Sequence, residues 1–196
     1  MKNNSGNMQD VQLVRDFRNG DAVAFNKLVS RWQNRIHRFV YRYFADSDEA
    51  REITQKTFIK VYHRIDTLDD EHKFSSWIYR IATNLCLDEL KRAGRRRSVK
   101  LDEWIETKEF TELHTPHSKL ERKEMQHILQ KALQAIPKEQ RTVIILKEFE
   151  KLTFREISEV LEEPENTVKS RMYYGLKALR KIFNAWNINS EMMNYE

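Results

Sequence analysis

Two predicted helical segments of this chain carry side chains of the types that bind nucleic acid. In the segment 152–181, Thr153 and Glu156 form a capping box at the start of a short helix. Pro164 cannot continue that helix, so the chain turns there and starts a second helix near Asn166. This arrangement predicts a helix-turn-helix.

The second of these helices is predicted to have two different faces. Apolar side chains recur at spacings of three or four and should be buried: Val168, Met172, Leu176, Leu179 and Phe183. Polar and basic side chains suited to base edges and phosphates occupy the other face and its flanks: Asn166, Thr167, Lys169, Ser170, Arg171, Tyr173 and Lys177. The alternative is a surface helix with an ordinary solvated charged face.

The other segment is a predicted helix that begins near Phe74. Bases stack on aromatic rings, cations hold phosphates and an amide can bond a base edge, which are the requirements of single-stranded DNA binding. The side chains predicted to provide this surface are Phe74, Trp77, Arg80, Asn84, Lys91, Arg95 and Arg96. The alternative is that Trp77 is a core residue.

The chain is predicted to be all-α. Four glycines, three prolines and 33% charged residues are typical of helical proteins. Helices are predicted near 10–19, 21–44, 47–66, 74–94, 118–135, 138–149, 153–162 and 166–186. A basic run from 91 to 100 is followed by an acidic run from 102 to 112, which indicates a flexible acidic linker over 95–117. This linker separates a domain over 1–94 from a helix-turn-helix domain over 118–196.

Composition narrows the function. A formal net charge of +5 favours a polyanionic partner. No apolar run or signal-peptide pattern indicates a membrane or export, so a cytoplasmic protein is expected. Cys86 is expected in the core. An enzyme such as a nuclease is disfavoured, because His114 and His117 lack further evident metal ligands. No catalytic residue, cofactor or metal is therefore predicted.

Four segments in order resemble the extracytoplasmic-function sigma factors of bacterial RNA polymerase. They are the sequences at 21–32, 53–65, 74–92 and 136–181, and the resemblance extends over nearly all of 10–183. It implies core RNA polymerase and promoter DNA as partners, with an anti-sigma factor or a tethering protein as further candidates. The free chain is expected to be a monomer. A helix-turn-helix regulator that is not a polymerase subunit is the alternative.

The resemblance also implies roles for individual residues. Polymerase binding is expected of Glu52, Gln55, Lys56 and Lys60, with Phe58 packed inward. Trp77 and Asn84 match positions that melt the minus-ten element and hold a flipped base. The acidic linker would enter the RNA exit path, and the last two helices would recognise the minus-thirty-five duplex.

Three departures from the family pattern affect these expectations. Lys56 stands where the family usually has Glu, and Asn166 replaces a common Gly. In the turn, Glu162 replaces a Gly that takes left-handed geometry, at a cost of about 1 kcal/mol, and Glu163 replaces an apolar residue. We therefore expect weak autonomous minus-thirty-five recognition with a shallow sequence preference, and selectivity from minus-ten recognition or from a tethering partner.

Overall fold

The computed structural model describes residues 4–98, 119–186 and Ile188, and the described elements are all helical, as predicted. The α-helices are α1 (Asn4–Arg18), α2 (Ala22–Phe44), α3 (Ser47–Arg64), α4 (Phe74–Ser98), α5 (Lys119–Ala135), α6 (Lys138–Ile144), α7 (Phe154–Leu161) and α8 (Glu165–Ala185). Short 3-10 turns lie at Ile65–Thr67 and Glu71–Lys73, and a π-helical turn lies at Ile145–Phe149. Side chains are described for 8–93, 125–186 and Ile188.

Helices α1 to α4 pack around an aromatic core, and local capping fixes where they begin. Asp21 caps α2 by accepting a hydrogen bond from the Val23 amide at 2.8 Å. Asp46 caps α3 in the same way, by accepting from the amides of Asp48 and Glu49. The core of this half contains Trp32, Phe39, Phe74 and Tyr79, whose rings meet edge to face.

Helices α7 and α8 form the predicted helix-turn-helix. Thr153 and Glu156 make the capping box, and Pro164 directly precedes α8. Glu162 adopts left-handed geometry at φ 55° and ψ 38°, as expected of the position that usually holds Gly. Its amide donates to the Ser158 carbonyl, which closes the last turn of α7.

One prediction about α8 is wrong. Leu176 was expected on the buried face, but its side chain is 47% exposed. Gly175 lies on that face instead, because its missing side chain lets α8 approach α6. A Cβ at Gly175 would lie 2.8 Å from Ile144 Cδ1 and 3.2 Å from Gln140 Cβ.

The two predicted domains are in contact along one continuous hydrophobic core. The last carbonyls of an α-helix have no hydrogen-bond partner within the helix. Three such carbonyls at the end of α2 accept hydrogen bonds from the second half of the chain. Gln130 donates to the carbonyls of Tyr41 at 2.9 Å and Arg42 at 3.0 Å. Arg141, itself buried, donates to the Tyr43 carbonyl at 2.8 Å. Helix α4 also packs on α7.

Helix α4 continues to Ser98, past the predicted boundary at 94, while the predicted acidic linker lies almost wholly outside the described residues. In the described part of the chain, no helix is both long enough and apolar enough to cross a membrane.

Candidate nucleic-acid interface

The predicted single-strand surface lies on α4, where spacings of three and four place its polar side chains on one face. Arg80, Asn84 and Lys91 are exposed, and Trp77 is half-buried. The Trp77 ring packs beside Phe74, with 6.2 Å between ring centroids, so part of the indole belongs to the core and part remains accessible. The side chains of Arg95 and Arg96 lie outside the described set.

Phe74 does not belong to this exposed surface, which corrects the prediction that it contacts DNA. Its side chain is fully buried and meets the Trp32 ring edge to face. Tyr79 is also buried, and burial followed by the Glu150 carboxylate raises its pKa. Both rings support α4 from inside, because the aromatic spacing that indicated a stacking surface also matches the helix's buried face.

An open cavity of about 680 Å³ adjoins the exposed face of α4. Trp77, Arg80 and Asn84 line it together, and Lys73 and Arg64 add positive charge at its edge. An aromatic ring, an amide and several cations around one polar cavity suit an extruded base and its phosphates. Lys60, predicted to bind polymerase, also lines this cavity.

Two carboxylates of the helix-turn-helix lie at the same cavity. Glu162 Oε1 is 2.5 Å from Arg80 Nη2, and Glu159 Oε2 is 3.4 Å from Lys73 Nζ. Two of the cations that line the cavity, Arg80 and Lys73, are therefore paired within the chain. No sequence motif indicated these two contacts, because their partners are far apart in sequence.

The predicted duplex-binding surface lies on α8. Its exposed members are Asn166, Lys169, Ser170, Tyr173 and Lys177, whereas Thr167 and Arg171 are half-buried. Tyr173 is 63% exposed, more than the neighbouring Tyr174 and Leu176.

The two cations that flank this surface also have carboxylate partners. Lys169 Nζ lies 2.6 Å from Glu165 Oε1, and Arg171 Nη2 lies 2.9 Å from Glu163 Oε1. Glu163, which stands at a usually apolar position, is therefore an ion-pair partner of the recognition helix. These pairs reduce the positive charge available to phosphates.

The predicted polymerase-binding residues lie along α3. Glu52 and Gln55 are exposed, Phe58 is buried as expected, and Lys56 forms an ion pair with Glu52 one turn away. Beside them a groove of about 720 Å³ runs between α2 and α3.

The groove between α2 and α3 contains apolar side chains that the sequence analysis missed. Ile59 is 57% exposed and Tyr62 is 51% exposed, and both line the groove with Gln55 and Phe25. Exposed apolar side chains beside polar ones are typical of protein interaction sites. Their position outside the buried stripe of α3 is the signal that sequence reasoning could have used.

Within the described residues, no group of three or more potential ligands could hold a metal ion. His114 and His117 lie outside those residues.

Two protein-family models match this chain. The family model for sigma-70 region 2 matches residues 28–96, and the model for sigma-70 region 4 matches 126–179. The chain is 33% identical to the ECF RNA polymerase sigma factor SigW of Bacillus subtilis, with 86% of this chain and 93% of SigW covered. It is also 33% identical to the RNA polymerase sigma-H factor of Pseudomonas aeruginosa, over 88% and 93% of the two chains.

A solved structure has a similar fold. It is the sigma factor RpoE of Bartonella quintana in complex with the anti-sigma factor NepR, with a TM-score of 0.64, 18% identity, and 82% of this chain and 96% of that chain covered. Two sigma-70 regions in the expected order, with curated relatives at this identity, show that this chain belongs to the extracytoplasmic-function sigma factors of RNA polymerase. The alternative of a regulator that is not a polymerase subunit is not favoured.

Proposed function

We propose that this sigma factor opens promoter DNA with the exposed face of α4. The observation that supports this assignment most strongly is that Trp77, Arg80 and Asn84 line one open polar cavity. Extruding a base costs a few kcal/mol, and stacking of about 1–3 kcal/mol per base offsets much of that cost. Holding extruded bases is therefore enough to stabilise the melted state, and no catalytic step is required of this chain.

The exposed face of α8 is proposed to contact the minus-thirty-five duplex. Asn166, Ser170 and Tyr173 would meet base edges in the major groove, where each good contact is worth about 1–3 kcal/mol of discrimination. The ion pairs of Lys169 and Arg171 with neighbouring glutamates support weak rather than tight duplex binding. Selectivity then comes chiefly from minus-ten recognition or from a tethering partner, which raises the effective concentration near the promoter.

The groove between α2 and α3 is proposed to bind core RNA polymerase. Glu52, Gln55 and Lys56 lie on its helix, and Ile59 and Tyr62 add accessible apolar area, which aromatic side chains often supply at interface centres. Lys56 reverses the charge of the Glu that the family usually has at this position. Its pairing with Glu52 reduces the effect of that reversal, because the pair has no net charge.

Other partners and the location follow from the same proposal. Since the neighbouring RpoE structure contains an anti-sigma factor, we propose an anti-sigma factor as a candidate partner here. A chain that works with polymerase and promoter DNA acts in the cytoplasm. We propose that it does so without catalytic activity of its own and that it is a monomer when free of partners.

Capture of core polymerase tests the groove assignment. Ile59→Ala with Tyr62→Ala should weaken binding of the full chain to core polymerase by tenfold or more, because two accessible apolar side chains leave the interface, each worth about 1–2 kcal/mol. Binding can be measured by titrating labelled chain with core polymerase.

A matched control removes an exposed apolar side chain elsewhere. Met8→Ala alters α1, where Met8 is 68% exposed, and should leave core affinity unchanged. Equal affinities for the groove variant and the control would place the polymerase-binding surface on another face.

A further inference from the structure

The helix-turn-helix lies against one side of the cavity at the proposed DNA-binding face of α4. Arg80 of that face pairs with Glu162, and Lys73 at the edge of the cavity pairs with Glu159. Both carboxylates come from α7 and its C-terminal turn. They therefore occupy positions beside cations that would otherwise be open to phosphate groups.

A buried carboxylate strengthens the contact between the two halves. Glu150 is only 7% exposed and lies directly before the helix-turn-helix. It accepts a hydrogen bond from the Tyr79 hydroxyl, and its oxygens lie 3.5 Å from Arg35 Nε and 3.4 Å from Arg42 Nη1. We call Glu150 with Arg35, Arg42 and Tyr79 the Glu150 cluster.

The partners of Glu150 in this cluster belong to α2 and α4, in the other half of the chain. A buried carboxylate without partners is strongly unfavourable. Separation of the two halves would remove these partners, although it would also let water reach Glu150. The cluster thus favours the closed arrangement without making it permanent.

The closed arrangement cannot bind both promoter elements at once on straight DNA. The minus-ten and minus-thirty-five elements are separated by about 25 base pairs, which corresponds to roughly 85 Å at 3.4 Å per base pair. Here α4 and α7 are in direct contact. The segment 99–118 could extend to roughly 70 Å, which gives the halves room to separate.

The departure at Glu162 gains a physical explanation from this contact. A Gly in the left-handed turn would avoid backbone strain. The backbone of Glu162 is strained at φ 55°, but its carboxylate forms an ion pair with Arg80. Within this chain, the unusual residue serves the contact between the two halves.

We propose that the free chain is autoinhibited, with Glu159 and Glu162 taking the place of DNA phosphates at α4 and the Glu150 cluster holding the two halves together. Binding of polymerase must then be accompanied by separation of α7 from α4. The inference rests on the proposed role of α4 in DNA binding. Its distinguishing property is that opening frees the cations Arg80 and Lys73 on a DNA-binding surface that is already folded.

Distance measurements on the full chain test the closed state. Spin labels on Ser30→Cys and Arg180→Cys report the separation of α2 and α8, since both positions are exposed and the native Cys86 is fully buried. Glu150→Lys with Glu162→Lys should convert a short, narrow distance distribution into a longer and broader one. The reversed charges repel Arg35, Arg42 and Arg80.

Binding of an oligo(dT) 20-mer at fixed salt tests the exposed surface. The matched control is Glu139→Lys with Glu148→Lys, which changes the same charge at exposed positions of the same half. We expect the opened variant to bind at least about fivefold tighter than this control, the lower end of typical coupling between two states. Equal charge in the two variants removes the general electrostatic gain from the comparison.

A second comparison, between two single variants, applies if the double variant does not fold. Glu162→Lys alone changes a side chain that is 67% exposed, so it should retain the helical circular dichroism of the parent. It should still bind the oligonucleotide more tightly than Glu148→Lys. If the double variant unfolds, this single comparison decides the result.

Three outcomes would overturn the inference. A long, broad distance distribution in the parent chain would show that the closed state is not populated. An unchanged distribution in a folded opened variant would show that these contacts do not hold the halves together. Opening with only the control's DNA affinity would instead contradict the role of α4 in DNA binding, and with it the proposed function.

Discussion

Asn84→Ala is expected to reduce transcription from a duplex promoter about tenfold while sparing a template that is already melted at the minus-ten element. Asn84 is exposed on α4 and lines the cavity with Trp77 and Arg80. Loss of its contacts with an extruded base should cost about 1–3 kcal/mol. On a pre-melted bubble the cost of unpairing has already been met, so the defect should be partly or fully rescued.

The comparison requires a control for the substitution itself. Asn26→Ala makes the same change at an exposed position of α2 and should transcribe both templates normally. Equal losses on duplex and bubble would show that Asn84 does not act in opening. If Trp77→Ala unfolds the chain while Asn84→Ala remains fully active, the exposed face of α4 is only the outer side of a core helix.

Gly175→Val is expected to destabilise the chain by about 1–3 kcal/mol through overpacking. Even a Cβ at this position would lie 2.8 Å from Ile144 Cδ1 and 3.2 Å from Gln140 Cβ, and valine adds two further carbons. Because the two halves share a hydrophobic core, the loss should appear in the main thermal or denaturant transition. The measurement is the free energy of unfolding from urea titration followed by circular dichroism.

Two further variants identify the contact responsible. Leu176→Val changes the adjacent, 47% exposed residue and should alter stability by no more than about 0.5 kcal/mol. Ile144→Val removes the methyl group nearest to the added Cβ, so it should partly rescue Gly175→Val. A Gly175→Val chain as stable as Leu176→Val would contradict close packing of α8 on α6.

The local features of the fold were predictable because their causes lie within a few residues. Thr153 and Glu156 form the capping box through side chains one helical turn apart. Glu162 takes the left-handed geometry that the turn before Pro164 requires. The apolar helical pattern likewise placed Cys86 in the core, and Phe58 is buried as the family resemblance implied.

The errors came from positions where local pattern was ambiguous. Phe74 could belong to an exposed aromatic surface or to the core, and its contact with Trp32 on another helix places it in the core. Leu176 looked like a core residue because of its apolar side chain. Gly175 is buried instead, because the close approach of α6 requires a residue without a side chain. A pattern of hydrophobic residues does not identify such a position.

The contact between the two halves was beyond sequence reasoning. Glu150 meets Arg35 and Arg42, which precede it by more than a hundred residues, and none of the three has a distinctive local pattern. The hydrogen bond from Arg141 to the Tyr43 carbonyl is equally remote. The departure at Glu162 was visible in the sequence, but its partner Arg80 was not.

Transcription by core polymerase on a genomic library, followed by sequencing of the RNA start sites, tests whether this protein directs initiation. We expect start sites that depend on this chain and share a well-defined minus-ten motif, with a weaker motif near minus thirty-five. Asn84→Ala should deplete those start sites. If the chain binds the polymerase but the start sites are identical to those of core polymerase alone, this protein does not direct initiation.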